Sequence, residues 1–128
     1  FMMWPHDTHT DHEVASRLSK IGLRHGDRMF DKPKPYKRPS RIYMYDNGPR
    51  HTIGFEPNTF VDVSDEWPKA IEWLGRLMAL VRNQPYDPDN LDGAQRAKET
   101  LARYRGATCG AKYAEALHAA NAYPQDIL

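Results

Sequence analysis

His6-Asp7-Thr8-His9-Thr10-Asp11-His12 packs three imidazoles and two carboxylates into seven positions. Both group types are ordinary ligands of a zinc-like divalent cation, which makes His9, Asp11 and His12 the candidate metal ligands. The competing explanation is purely structural. Thr10 and Glu13 have the spacing of a capping box, so the same residues could simply start a helix.

A second constellation mixes bases with aromatics. Arg24, Arg28, Lys32, Lys34, Lys37, Arg38, Arg41 and Arg50 are interleaved with Tyr36, Tyr43 and Tyr45. Lys and Arg neutralise phosphates, and exposed aromatic rings give unpaired bases a surface to stack on. Residues 17–50 carry ten Lys/Arg against Asp27, Asp31 and Asp46, whereas residues 51–128 carry eight bases against eleven acids. The formal net charge of the whole chain is only +1, so this local excess points to an anionic partner for one third of it.

Thr8-His9-Thr10-Asp11-His12 resembles part of the HxHxDH signature of the metallo-β-lactamase superfamily, matching at His9, Asp11 and His12, with Asp7 standing where that pattern has its first histidine. The resemblance covers five or six residues and implies a metal-dependent hydrolase. That family also has a strand before the motif and a longer αββα sandwich, and neither is legible here. Elsewhere no catalytic set can be assembled. Cys109 reads as a small buried residue at a helix start, and Gly106 and Gly110 lack the spacing of a phosphate loop.

At 128 residues the chain has room for one modest core, and residues 1–128 read as a single domain. No apolar run approaches the ~18–20 residues that cross a bilayer. Residues 1–7 lack a leader pattern, and the lone Cys109 fits a reducing compartment, so the expectation is a cytoplasmic protein with no membrane partner.

The elements that must hold these residues follow from periodicity. Val14, Leu18 and Ile21 predict a helix over about 11–21, stopped by Gly22. Residues 24–40, rich in Pro and bases, predict an extended surface loop. Arg41–Tyr45 and His51–Phe55 each alternate around Asn47-Gly48, which predicts an antiparallel hairpin with Ile42, Met44, Ile53 and Phe55 on one face. Thr59–Val63 offers a third strand. Ser64–Asn83 has the widest apolar arc, with Ala70, Ile71, Leu74, Leu77, Met78 and Val81 expected inward at roughly 1.5–3 kcal/mol each. A turn-rich linker at 84–90 leads to a helix at 90–105, lined by Leu91, Ala94, Ala97, Leu101 and Tyr104. A fourth helix capped by Thr108 would complete a C-terminal αα-hairpin. The expected class is α+β: an N-terminal helix, a small hairpin or three-stranded sheet, a long central helix and the αα-hairpin.

These observations predict a small non-enzymatic binding protein whose partner, reached through residues 24–50, is nucleic acid or an acidic protein surface. The alternative is an inhibitor or adaptor of viral or mobile-element type that grips one specific protein target. A zinc-dependent hydrolase built on His9, Asp11 and His12 is the third expectation, and no other cofactor is implied.

Overall fold

The computed structural model describes residues 1–28 and 39–120. Among them the fold is mixed α+β, with strands β1 (Met2–Met3), β2 (Tyr43–Tyr45), β3 (Thr59–Asp62) and β4 (Ala114–Ala119), and helices α1 (Thr10–His25), α2 (Trp67–Val81) and α3 (Gly93–Cys109). The strand order is β1-β2-β4-β3. The described residues divide into two compact units, residues 1–28 and 39–59 with 117–120, and residues 60–116.

In the first unit, β1 pairs in parallel with β2, Met2 opposite Met44 and Met3 opposite Tyr45. β2 pairs on its other side, antiparallel, with β4, Met44 opposite His118. Met2, Trp4 and Met44 form the buried cluster, with Leu23, Ile42 and Phe55 packed against it. The Trp4 indole N–H donates to the Ile53 carbonyl at 3.0 Å, and its ring meets Phe55 edge-on. An indole buried with its N–H satisfied fixes position as well as adding apolar area.

Two expectations fail here. A strand, β1, does precede the histidine motif; at two residues it is too short to show an alternation in the sequence. The hairpin does not form. β2 takes β1 and β4 as neighbours, and residues 51–55 contribute only an isolated antiparallel bridge between Asp7 and Thr52. Ile42, Met44 and Phe55 still share a core, but Ile53 is exposed. The Asn47-Gly48 signal does mark a turn, with Gly48 at φ 93°.

Helix α1 runs past Gly22 to His25. A single interior glycine costs only about 1 kcal/mol, which tertiary contacts can override. Its buried residue is Ser16, whose hydroxyl donates to the Met3 carbonyl at 2.9 Å. Val14, Leu18 and Ile21, expected inward, are exposed. The Thr10–Glu13 box is also absent. His9 is the N-cap without a side-chain bond, and the Glu13 carboxylate accepts from the Asp7 amide.

In the second unit, Trp67, Ala102 and Tyr113 form the core, with Trp67 and Tyr113 stacked at 4.7 Å and Val63 and Ile71 alongside. Helix α2 lies within the expected span and has Pro68 in its first turn. Its inward face is Trp67 and Gly75, buried, with Ile71, Leu74 and Met78 half-buried as expected, while Ala70, Trp73, Leu77, Leu80 and Val81 are exposed. Gly75 is required there, since a Cβ would fall 2.4 Å from the Gln95 amide.

Helix α3 opens with a complete capping box. Asp92 accepts from the Ala94 N–H at 2.7 Å, and Gln95 accepts from the Asp92 N–H at 2.8 Å. Its buried residues are Gln95, Ala102, Arg105 and Gly106; of the expected stripe, Leu91, Ala94 and Leu101 are half-buried, and Ala97 and Tyr104 are exposed. It ends at Gly110, left-handed at φ 81°. Cys109 is therefore at a helix end and exposed.

The fourth helix is replaced by β4. Ala114 and Ala116 are buried while Glu115 and Leu117 are half-buried, a period of two in residues whose propensities favour helix. Burial in the sheet overrides propensity there. Glu115 is held by Lys98 at 2.8 Å and by Arg105 at 3.5 Å.

Candidate metal centre

The segment after β1 bends back along residues 50–53. The Thr8 N–H donates to the His51 carbonyl at 2.8 Å, and the Ile53 N–H to the His6 carbonyl at 3.0 Å. These bonds bring His51, 39 positions from His12 in the chain, beside the N-terminal motif. Asp7, His12 and His51 then offer ligand atoms that all lie within 4.8 Å of one another. The His9 ring sits 4.8 Å from His51 and 5.0 Å from His12, centroid to centroid.

Asp7 organises the group. Its side chain is fully buried. Oδ1 accepts the His9 backbone N–H at 2.9 Å and lies 3.1 Å from His12 Nδ1. Oδ2 accepts from Asn47 Nδ2 at 2.9 Å and from the Thr52 hydroxyl at 3.4 Å. Burial pushes this carboxyl up, but the Asn47 amide, the His9 N–H and the His12 ring outweigh it and hold its pKa down at about 2. An ionised carboxylate has about four acceptor sites, and four donors surround this one. Asp7 is thus placed to orient a ligand more than to be one. By holding His12 at Nδ1, it leaves Nε2 as the nitrogen free to bind, the arrangement typical of carboxylate-supported metal ligands.

His51 presents the complementary feature. Its Nδ1 is buried and has no hydrogen-bond partner among the described residues. A buried ring nitrogen without a partner is costly, and a metal ion would relieve it. The donor set suits a zinc-type ion, for which imidazole nitrogens are common ligands.

Of the expected ligands, His12 is in the group, whereas His9 lies beside it, ring to ring, and is not among the residues whose ligand atoms converge. Asp11 lies on the exposed surface of α1 and takes no part in it. Asp7 and His51 are the additions. Asp7 was legible only as the residue occupying the first histidine position of the signature, and His51 carried no local signal.

The basic constellation is only partly described. Lys32, Lys34, Tyr36, Lys37 and Arg38, with most of the expected 24–40 loop, lie outside the described residues. Arg24 and Arg28 are exposed at the end of α1 and in the 3₁₀ turn that follows it, and Arg41 and Arg50 are exposed too. Tyr43 and Tyr45 are half-buried in β2 between two neighbouring strands, and Tyr43 stacks on Phe1 at 5.6 Å.

No protein-family model matches the chain, and no curated protein matches it. A solved structure does: the crystal structure of the conserved protein TT1542 from Thermus thermophilus, with a TM-score of 0.70 and 24% sequence identity across 98% of this chain. The match takes in 52% of the Thermus chain, so the present chain spans about half of its length. The likeness shows a shared fold and nothing further. No helix among the described residues is long and apolar enough to cross a membrane.

Proposed function

We propose that this chain binds a zinc-type divalent cation through His12 and His51, with Asp7 as the carboxylate that orients His12 and His9 as the third imidazole at the site, and that the centre serves hydrolysis. The observation that carries the reading is the buried, unpartnered Nδ1 of His51 beside an imidazole already fixed by an ionised carboxylate. When bound, such an ion acts as a Lewis acid and lowers the pKa of a coordinated water. The chain's own residues hold the ligand nitrogens in place. Asp7 and Asn47 fix the His12 ring, and the 50–53 segment fixes His51. His9, exposed at the edge of the group, is positioned to take up or deliver a proton at its ring.

Metal analysis of untagged protein, followed by zinc addition to a chelated sample, tests this. Expected are bound metal on purification and a rise in melting temperature on adding zinc to the stripped protein. A metal-free preparation that zinc does not stabilise would remove the reading. Replacing Asp7 by Asn, which keeps shape and removes charge, should weaken zinc binding by about 10–100-fold, as loss of a ligand-orienting partner does.

A second reading rests on the charge excess of residues 17–50. In it the chain grips nucleic acid or another polyanion through Arg24, Arg28, Arg41, Arg50 and the basic residues between them. A third makes it an inhibitor or adaptor of a specific protein. Capture of one stoichiometric partner that survives nuclease treatment would favour the third over the second.

A further inference from the structure

Helix α1 packs Leu23 on the core of its own unit but carries three large apolar residues on the opposite side. Ser16 faces β1, at 1% exposure, with its hydroxyl on the Met3 carbonyl. At about 100° per residue, positions 14, 18 and 21 lie roughly 140–200° around the helix from Ser16. Those positions are Val14, Leu18 and Ile21, exposed at 47%, 60% and 48%. The spacing of four and then three is that of a helix-packing seam, not of scattered surface residues. Nothing among the described residues covers it.

The charges along α1 say what could. Its first turn carries Asp11 and Glu13, and its last turn carries Arg24 and His25. A helix acidic at one end and basic at the other is complementary to itself when the second copy runs antiparallel. With a two-fold axis through Leu18, Val14 of one copy faces the Ile21–Gly22 turn of the other. Asp11, which lies beside the seam, then faces His25. Two-fold interfaces require such self-complementarity, and they are the commonest form of assembly. A carboxylate set against an imidazole donor at the rim fixes the register, and the apolar seam supplies the attraction.

We propose that the outer face of α1 is an interface for a second copy of this chain, seated antiparallel through Val14, Leu18 and Ile21 and held in register by Asp11 against His25. The interface is independent of the metal centre, since none of these five residues belongs to it.

Sedimentation equilibrium of the intact chain tests the proposal. A dimer is expected, with Leu18→Glu raising its dissociation constant by at least about tenfold while leaving the circular dichroism of the monomer unchanged. Asp11→Lys should also weaken the dimer, and adding His25→Asp should restore it. That swap keeps the test decisive even if a charge at Leu18 were to disturb folding. A chain that stays monomeric at the highest soluble concentration would overturn the proposal. So would a dimer indifferent to Leu18→Glu, or one broken instead by Leu80→Glu on α2.

Discussion

At the scale of single residues, Asp7 has the largest consequence for its size. A buried carboxylate surrounded by four donors is fixed in place, and it passes that order to His12. It also gives the fold a pH dependence whose sign is determined. The pKa is lowered from 3.8 to about 2, so ionised Asp7 stabilises the fold fully above about pH 4. The contribution should fade as pH drops from about 4 through 2. Chemical denaturation across that range should show stability falling in the wild type and a shallower fall in Asp7→Asn, which has no proton to gain. An equal slope in both proteins would remove Asp7 as the source. How much of this was legible in the sequence differs by residue. His9 and His12 were visible because ligand types clustered locally. Asp11, equally visible, lies outside the site because α1 turns it to solvent. His51 could not be found, because what brings it there is a backbone pairing of residues 6–8 with 51–53 that leaves no periodic trace.

At the scale of elements, the spans of α2 and β3 and the existence of α1 and α3 were readable from periodicity, but their inward faces were readable only in part, as Ile71, Leu74 and Met78 on α2. On α1 the apolar stripe points outward. On α3 the inward stripe is Gln95, Arg105 and Gly106, polar or small residues that periodicity discounts. Gln95 is buried because it closes the cap of its own helix and also donates to the Ile71 carbonyl at 2.8 Å. Gly106 was legible as a helix stop. It instead lies inside α3, where a Cβ would come within 2.6 Å of the Ala111 carbonyl and 2.9 Å of Lys112 backbone. Gly106→Ala should therefore destabilise the chain by about 1–3 kcal/mol, the usual range for forced overpacking against rigid atoms. Loss of the cap in Asp92→Ala should cost about 1 kcal/mol. Urea unfolding of each variant measures both, and a neutral Gly106→Ala would mean the Ala111–Lys112 turn yields to a methyl group. β4 shows the reverse error. Its alanines favour helix in isolation, and only the neighbouring strand tells them otherwise.

At the scale of the whole molecule, the mixed α+β class was readable, while the strand connections were not. A parallel β1–β2 pair needs a long crossover, here containing α1, and such pairing is set by distant contacts instead of local pattern. The charge distribution makes a separate prediction at this scale. If residues 17–50 grip a polyanion, affinity for single-stranded nucleic acid should fall steeply with salt, with a log–log slope of about 0.7 per phosphate contacted. Affinity indifferent to salt would discard that reading without touching the metal centre.

If His12 and His51 bind a metal ion, the six histidines of the chain provide their own controls. Nitrogen-15 imidazole spectra of the metal-stripped protein, recorded during zinc addition, report on each ring separately. His12 Nε2 and a His51 ring nitrogen should shift together at stoichiometric zinc, His9 should respond as their neighbour, and His6, His25 and His118 should stay where they were. Zinc shifts spread evenly over all six rings, or confined to the outlying three, would contradict metal binding by His12 and His51.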